Sequence, residues 1–356
     1  MRILIVTDAW PPQVNGVVRT LQTVGRKLSA LGHTVKYLTP EGRKGWAIPS
    51  YPEIKLSFVG ASGIGKEIDA FAPDAIHIAT EGPLGWAARR ACKRRNIPFT
   101  TSFHTQFAQY AQARFRVPGI SRIIWGILRP FHNAGHAVMA PAASISKQLE
   151  TLGFANVKTW TRGVDHQLFK PGPRDYFSLP RPIMLLAGRV VIDKNIDAFL
   201  ALDMPGTKVV VGDGPDRKAF EAKYPAAVFT GYLYEDNYAR ALAAADVFVF
   251  PSLTDTFGLV MIEAMACGTP VAAFNVASPV DVVEVGVTGE LDPDLAAAIT
   301  RALVLDRKTV QQAATKFTWD RVAEMFESWL VPIARPAAVA ETDAEAGTAN
   351  AVLHLR

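Results

Sequence analysis

The sequence predicts an α/β protein of two domains, each built on a parallel sheet, with a cleft between them. Short apolar runs rich in β-branched residues alternate along the chain with helical patterns, as in parallel sheets. The runs fall into two groups, separated by a Pro- and Gly-rich segment at 162–173 that is typical of a linker. The 356 residues are enough for each half to have its own core.

Eleven apolar runs are candidate strands. Six precede the linker, at 3–7, 34–38, 75–78, 99–101, 137–139 and 157–160. Five follow it, at 183–187, 208–211, 227–230, 247–250 and 271–273. A turn or helical pattern follows most runs, which indicates that the chain crosses over between parallel neighbours.

The segment at 252–271 is the most informative part of the second half. A strand ends just before a polar turn with Asp255, which precedes Gly258 and a helical pattern that carries Glu263. Two carboxylates therefore flank a helix N-terminus at the carboxyl end of a strand, where open α/β sheets bind ligands. Free N–H groups at that end favour an anion such as a diphosphate. An ordinary βα turn with two solvated acids explains the same residues, so both interpretations remain open on these residues alone.

Two cations follow the first strand of the second half. Gly188 forms a turn that presents Arg189, and Lys194 comes five residues later. A guanidinium binds two oxygens and an ammonium adds a point charge, so the pair suits an anionic leaving group. Solvated loop cations are the alternative.

Three polar positions in the first half also follow candidate strands. Asn15 and Gly16 form a turn before a helical pattern, with a backbone that a ligand can approach. Glu81 follows the strand at 75–78, and His104 follows the strand at 99–101. An ordinary βα turn and structural side chains are the alternatives here.

A family resemblance connects these positions. Asp255, seven further residues, Glu263-Ala and then Gly-x-Pro-Val resemble the donor-sugar signature of glycosyltransferase family 4, retaining enzymes of the GT-B fold. The resemblance extends from the first residue to about position 320 and includes the Gly-Arg…Lys-Asn and Gly-Val-Asp…Phe-x-Pro patterns. Within the family, the sequence is similar to a bacterial branch of lipid glycosyltransferases and GDP-mannose-dependent α-mannosyltransferases. The family usually has Glu at the position of Asp255. The Asp of this chain is one methylene shorter, so its reach to the sugar is shorter.

The resemblance implies two Rossmann-like domains whose parallel sheets face each other across the cleft. Residues 1–165 would form the acceptor-binding domain and 166–318 the nucleotide-sugar-binding domain. A helix at 319–335 would cross back to the first domain. The segment at 336–356 is Ala-rich with scattered acids, and we expect it to be poorly ordered.

The resemblance also implies a role for each candidate residue. His104 would lie beside the sugar, Arg189 and Lys194 would neutralise the departing diphosphate, and Asp255 would act on the sugar, which makes these four the implied catalytic residues. The implied substrate-binding residues are Asn15, Gly16, Val17, Glu81, Gly188, Gly231, Thr256, Phe257, Gly258, Leu259 and Glu263. Glu81 would contact the acceptor or His104. The donor would be a UDP- or GDP-linked hexose, and we expect neither a metal ion nor another cofactor.

The two halves differ in charge. Residues 1–165 contain 21 Lys and Arg against 9 Asp and Glu, a net charge of +12. The remainder has 17 against 24, a net charge of −7. Between Glu81 and Glu150 there is no acid, and ten Lys and Arg occur. The first half therefore favours an anionic partner.

Apolar residues between 115 and 128 recur at a spacing near 3.6 among basic neighbours. The neighbours are Arg114, Arg116, Arg122 and Arg129. This pattern predicts a basic amphipathic segment on an anionic membrane, and hence a lipid acceptor such as diacylglycerol or a glycolipid. A core-facing helix with solvated arginines is the alternative for the segment, and a soluble acceptor is the alternative for the enzyme. A non-catalytic nucleotide-sugar- or nucleic-acid-binding protein is the alternative of another class, but no nucleic-acid-binding module is recognisable.

Other features narrow the location and the chemistry. Two cysteines suit a reducing cytoplasm, no apolar run approaches the length that spans a bilayer, and no secretion signal precedes the first strand. We therefore expect a cytoplasmic protein, peripheral on the inner face of the membrane. The segment at 60–66 has P-loop spacing, but Glu67 stands where magnesium binding needs Ser or Thr. Asp292 and Asp294 are interpreted as a helix cap instead of a metal-binding pair.

Overall fold

The computed structural model describes residues 1–13, 15–48, 51–109 and 117–334. Within them lie two six-stranded parallel sheets and a two-stranded antiparallel ribbon. The strands β1 to β14 are Arg2–Val6, Thr34–Leu38, Gly45–Ile48, Tyr51–Ser57, Ala75–Ile78, Thr100–Ser102, Val138–Ala140, Val157–Thr159, Ile183–Ala187, Thr207–Val211, Val228–Gly231, Val247–Phe250, Val271–Ala273 and Gly289–Leu291. The predicted α/β class is confirmed.

Helices cover the faces of both sheets. In chain order, the α-helices α1 to α13 of the described residues are Gly16–Ala30, Ala61–Phe71, Pro83–Arg94, Ile120–His132, Ala143–Thr151, Ile196–Leu200, Arg217–Lys223, Glu235–Ala244, Leu259–Ala266, Pro279–Val282, Leu295–Ala302, Arg307–Ala314 and Trp319–Trp329. A 3₁₀ turn at Ile192–Lys194 precedes α6. The P-loop-like spacing at 60–66 forms the start of α2, with Gly60 as its N-cap.

The strand orders determine where ligands can bind. The first sheet runs β2-β1-β5-β6-β7-β8 and the second β11-β10-β9-β12-β13-β14. In each sheet, strands are added first on one side of the first strand and then on its other side. The direction of winding therefore reverses between β1 and β5 and between β9 and β12, while the strands stay parallel. Crevices at such switch points, outside the carboxyl ends of the strands, are where open α/β sheets bind ligands.

All eleven candidate strands overlap an observed strand, and three observed strands, β3, β4 and β14, were not predicted. Strand β14 is only Gly-Glu-Leu, and a Cβ on Gly289 would lie 2.2 Å from the carbonyl oxygen of Val271. The glycine permits this close pairing, but its sequence has no apolar run to signal a strand. The ribbon β3–β4 lies outside both parallel sheets, and its Trp46 is 64% exposed, so its pattern of buried residues is weak.

The last helix, α13, packs on the first domain. Its buried residues Val322 and Phe326 belong to one apolar cluster with β1 and α1. The indole N–H of Trp160 donates to the Val322 carbonyl at 2.9 Å, and the Phe326 ring lies 4.9 Å from Trp160 and 4.8 Å from His77 between centroids. The chain therefore returns to the first sheet after the second.

The linker is held against the start of α13. Val164 forms a bridge with Thr318, and a Cβ on Gly163 would lie 2.6 Å from the Trp319 nitrogen. The His166 Nε2 donates to the Phe317 carbonyl at 3.1 Å. Because only glycine tolerates that approach, the junction at 163–166 is a fixed crossing of two chain segments.

Some predictions fall outside the described residues. They include the tail at 336–356, together with Arg114 and Arg116 of the basic segment. The domain limits at 165, 318 and 335 stay predictions. Among the described residues, the structure has no helix that is both long and apolar enough to cross a membrane.

We expect Phe326→Ala to destabilise the first domain although the residue is in the last helix. The buried ring fills space between Trp160 and His77, so its removal leaves a cavity and should lower the free energy of unfolding by about 3–5 kcal/mol. Urea unfolding followed by fluorescence measures the change. The exposed Glu324→Ala in the same helix is the matched control, and equal effects of the two substitutions would contradict the packing described here.

Candidate functional site

The predicted site residues lie on loops at the carboxyl ends of the strands. Asn15 follows β1, Glu81 follows β5 and His104 follows β6. In the second sheet, Arg189 follows β9 and Asp255 follows β12. Four of these five loops border the switch points of the two sheets, and hydrogen bonds between loop and helix residues of the two domains join this region.

The turn after β12 is shaped by glycine. Gly258 has a φ of +77°, and a Cβ there would lie 2.8 Å from the Phe250 ring. No other residue fits, so α9 starts with Leu259 directly after this left-handed position. Phe257 is buried and packs edge-on against Phe317, which leaves the backbone of the turn for any ligand contact.

Glu263 is buried in the second turn of α9 and is 2% exposed. Its carboxylate forms an ion pair with Arg19 of α1, in the first domain, and accepts a hydrogen bond from the Tyr238 hydroxyl at 3.0 Å. The Arg19 guanidinium also lies over the Phe169 ring of the linker, 5.3 Å from its centroid. Burial, followed by the nearby Glu263 charge, raises the pKa of Tyr238 well above its ordinary value, so this hydroxyl remains a donor.

Asp255 pairs with Lys194. The two side chains form an ion pair through Oδ1 and Nζ, and both are largely shielded from solvent. The other carboxylate oxygen, Oδ2, is buried and has no hydrogen-bond partner among the described residues. The Asp255 carbonyl accepts from Gln106 of the first domain at 3.3 Å, which links the turn to the opposite side of the cleft.

His104 lies between the two domains. Its carbonyl accepts from the Thr256 hydroxyl at 2.8 Å, and its ring Nδ1 lies 3.1 Å from Nη2 of Arg162. Ring Nε2 is buried and has no partner among the described residues. Burial, followed by the charge of Arg162, holds the pKa of His104 well below its ordinary value. The ring is therefore neutral near pH 7.

Unpartnered polar atoms concentrate at this place. Of eight buried side-chain atoms without a hydrogen-bond partner in the described part of the chain, four belong to His104 and the turn after β12. The four atoms are His104 Nε2, Ser252 Oγ, Thr254 Oγ1 and Asp255 Oδ2. Buried polar groups normally have partners, so this concentration marks a surface that fits a polar ligand such as a sugar.

Glu81 contacts a different histidine from the one expected. Its Oε1 bonds to Nε2 of His132 in α4 at 3.0 Å, and His132 Nδ1 bonds to the Thr101 hydroxyl at 2.9 Å. Of the two contacts predicted for Glu81, the one with His104 is not found as a hydrogen bond or ion pair, because Glu81 pairs with His132. His132 is fully buried, and its two ring nitrogens connect Glu81 to Thr101 of β6. The predicted contact with an acceptor stays a prediction.

Asp8 holds the loop that carries Glu81. Its carboxylate accepts from the backbone nitrogens of Leu84 at 3.0 Å and Gly85 at 3.3 Å. It thus caps α3 from the end of β1, and a Cβ on Gly82 would lie 2.3 Å from its carboxyl carbon. Burial raises the pKa of Asp8. This role is structural, and the sequence carried no sign of it.

The first-domain turn approaches α9 closely. The Asn15 side chain caps α1 by accepting from Val17 and Val18 at 3.0 Å each. A Cβ on Gly16 would lie 3.3 Å from Leu259 of the second domain. The predicted loop therefore closely approaches the second domain at a glycine.

Gly188 and Gly231 lie further along the second sheet edge. Gly188 has a φ of +145°, and the half-buried Arg189 follows it. The carbonyl of Gly231 accepts from the Gly212 nitrogen at 2.8 Å, and Gly231 also has a positive φ, of +75°. The roles predicted for these two glycines stay predictions.

Five further residues complete the arrangement and were not singled out from the sequence. They are Arg19, Gln106, His132, Arg162 and Tyr238. Each acts through a partner at least 25 residues away. Only Arg162 had a local signal, because it opens the Arg-Gly-Val-Asp junction.

Within the four described ranges, no three His, Cys, Asp or Glu side chains gather in a way that could hold a metal ion. Asp294 caps α11 by accepting from Ala296 at 3.0 Å, as expected, and Asp292 pairs with Arg301 at 2.8 Å.

Comparison with known proteins adds an independent line of evidence. A model of glycosyltransferase family 4 matches residues 14–168, and a model of glycosyl transferases group 1 matches residues 181–305. The chain is 32% identical over 360 residues to a GDP-mannose-dependent α-mannosyltransferase of Mycolicibacterium smegmatis, covering 91% of this chain and 95% of that protein. It is 24% identical over 372 residues to an α-monoglucosyldiacylglycerol synthase of Streptococcus pneumoniae, covering 92% of this chain and 83% of that protein.

Among solved structures, sucrose-phosphate synthase of Thermosynechococcus elongatus superimposes with a TM-score of 0.75 at 20% identity. The match covers 92% of this chain and 97% of that one, and it shows a shared fold. Together with the facing parallel sheets, these matches establish that the chain belongs to glycosyltransferase family 4 and has the GT-B fold.

Proposed function

We propose that the protein transfers a hexose from a nucleotide-diphosphate sugar to a hydroxyl of a membrane lipid such as diacylglycerol or a glycolipid, with retention of configuration and without a metal ion. The observation that carries this proposal is the set of unpartnered buried polar atoms at His104 and the turn after β12, beside the cation of Lys194. Sugar hydroxyls both donate and accept hydrogen bonds, so they can partner all of these atoms.

The nucleotide end of the donor would bind at Glu263. A carboxylate accepts hydrogen bonds from the two hydroxyls of a ribose, and Glu263 is held rigidly by Arg19 and Tyr238. The relative from Mycolicibacterium smegmatis is named for its dependence on GDP-mannose, which favours a GDP-linked sugar, and a UDP-linked sugar is the alternative. Gly231 would lie near the base, at the edge of the second sheet.

The diphosphate would lie between Arg189, Lys194 and the N-terminus of α9. Cleavage of the anomeric C–O bond puts negative charge on the departing diphosphate and positive charge on the sugar ring. Fixed cations and helix N–H groups stabilise the first of these charges more in the transition state than in the ground state. Attack from the same face, with the leaving phosphate accepting the proton of the acceptor hydroxyl, gives retention.

The lipid acceptor is supported by α4. This helix exposes Ile123 by 66% and Ile127 by 51%, with Arg122 and Arg129 also exposed beside them. It lies in a region without acids, so its outer face combines apolar side chains with positive charge, as in helices that lie on anionic bilayers. The last residue of α4 is His132, which forms a hydrogen bond with Glu81 at the cleft. An acceptor at the membrane would thus meet the cleft near Glu81.

A panel of UDP- and GDP-linked hexoses incubated with diacylglycerol vesicles tests the proposal, with products resolved by mass. We expect one donor to give a glycosylated lipid. Tight binding of a nucleotide sugar without transfer to any lipid or soluble alcohol would contradict the catalytic assignment and favour a binding protein. Transfer to soluble acceptors alone would remove the lipid assignment.

We expect Lys194→Ala and Arg189→Ala each to lower kcat about 10²- to 10³-fold, because each removes a charge that stabilises the leaving diphosphate. The exposed Lys218→Ala in the same domain is the control, and thermal melting checks folding. A nucleic-acid-binding protein would instead keep its salt-sensitive affinity in both variants. Unchanged turnover in the two variants would refute the role of these cations.

We expect Glu263→Gln to raise KM for the donor about 10- to 100-fold with a smaller change in kcat. The ribose does not react, so its contacts act on ground and transition states alike. Steady-state kinetics with saturating acceptor measures both constants. Asp236→Asn, an exposed loss of one negative charge in the same domain, is the control. A fall in kcat at constant KM would place Glu263 in the chemical step instead.

We expect the double substitution of Ile123 and Ile127 by Ser to weaken binding to vesicles that contain phosphatidylglycerol about tenfold or more, because the exposed face of α4 loses its apolar area. Vesicle flotation measures the bound fraction. Ile192→Ser is the matched control, since Ile192 is 61% exposed in the second domain. Equal binding to neutral and anionic vesicles would contradict the role of the basic residues.

A further inference from the structure

Arg162 is a buried cation beside the cleft. It is 4% exposed, and no carboxylate pairs with it among the described residues. Its guanidinium donates to the carbonyls of Trp160 at 2.6 Å and Thr161 at 3.0 Å, and it lies over the Trp160 ring at 4.5 Å. Burial lowers the pKa of Arg162 to about 9, and the side chain still carries its charge at pH 7.

The remaining contact of Arg162 decides the chemistry of His104. A guanidinium has only N–H donors and no lone pair that accepts. The 3.1 Å contact between Arg162 Nη2 and His104 Nδ1 is a hydrogen bond only if Nδ1 is the acceptor. A neutral imidazole has one proton, so that proton must be on Nε2. Nε2 is the buried ring atom that lacks a partner in the described part of the chain.

We propose that Arg162 is a positioning residue that holds His104 as the neutral Nε2–H tautomer, so that the ring donates one hydrogen bond to an oxygen of the bound nucleotide sugar. In this tautomer the only lone pair of the ring faces Arg162, so His104 cannot act as a general base. The hydrogen bond to the nucleotide sugar rests on the proposed function, because that function identifies the ligand. The tautomer of the free protein does not depend on it.

The charged and titratable groups around His104 support a ring that stays neutral. Arg162 approaches from the linker, His77 from β5 and His132 from α4, and the charge of Arg162 opposes a positive charge on the ring. From the second domain, Thr256 contacts the His104 carbonyl and the neighbouring Asp255 is already paired with Lys194. The Trp160 ring packs edge-on at 6.0 Å between centroids and excludes water.

The tautomer is measured directly by nitrogen NMR on the full-length protein labelled with [¹⁵N]histidine. The chain has 7 histidines, and His104→Gln identifies the signals of His104 by their loss. At pH 7 we expect Nε2 to resonate as a protonated nitrogen and Nδ1 as an unprotonated one. A proton on Nδ1, or averaged signals from two tautomers, would overturn the proposal. The exposed His136 is the internal reference.

Arg162 variants test whether this residue sets the tautomer. In Arg162→Met the two His104 signals should move towards averaged values, and the pKa of His104 should rise because the positive charge is gone. Arg162→Lys keeps a donor-only cation and should retain the Nε2–H form. An unchanged tautomer in Arg162→Met would overturn the role of Arg162. If the Met variant does not fold, the wild-type and Lys spectra still decide the tautomer.

Ligand and activity measurements test the donated hydrogen bond. Adding GDP-mannose or UDP-glucose to the labelled protein should shift the His104 Nε2 signal with the nucleotide sugar that binds, and no shift with either would overturn the donor role. His104→Gln, which keeps an N–H near the position of Nε2, should retain kcat/KM within about tenfold, whereas His104→Ala should lose about 100-fold. Equal losses in the two variants would contradict a donor role. If NMR shows the expected tautomer but no donor gives sugar transfer, the proposed function is contradicted and the tautomer assignment still holds.

Discussion

The buried carboxylate of Glu263 is the group on which the two halves of the protein converge. A carboxylate that is 2% exposed needs compensation for its lost hydration, since an unpaired buried charge costs several kcal/mol or more. Arg19 from the first domain and Tyr238 from the second provide it, and Phe169 of the linker lies against both of them. The same three neighbours therefore stabilise the charge, join the domains and hold the acid in one orientation.

Close approach of backbone segments makes this convergence possible. Gly16 comes within 3.3 Å of Leu259 as measured from an added Cβ, and Gly163 lets the linker cross the start of α13. Gly258 lets α9 begin immediately beside Phe250. A side chain at Gly163 would collide with the backbone at the start of α13, and one at Gly258 would collide with the Phe250 ring. One at Gly16 would press on the Leu259 side chain of the second domain. The electrostatic contacts of the cleft, which act over a few ångströms, depend on these approaches.

The fold was predictable from the sequence because buried parallel strands are local features. Runs such as 183–187 and 247–250 are apolar over their whole length, and all residues of β9 and β12 are buried. The acids and cations of the cleft were also predictable, because carboxyl-end loops gather at one edge of a sheet. The sequence could not predict which cationic or histidine side chain pairs with which carboxylate. Arg19 is 244 residues from Glu263, and Glu81 is bound by His132 instead of His104, so both pairings are decided by tertiary packing.

The two cations nearest the unpartnered polar atoms are compensated in different ways, and this difference separates their chemistry. Lys194 has an anionic partner in Asp255, so a diphosphate bound there, as proposed, would compete with or join an existing ion pair. Arg162 has only carbonyls, a ring face and a neutral histidine, so its charge remains uncompensated by any acid in the described residues. Its field acts through the imidazole, polarising an N–H at the place where polar partners are missing. One side of the site thus holds a cation that an anion can bind directly, while the other holds a cation that acts only through the donor it orients.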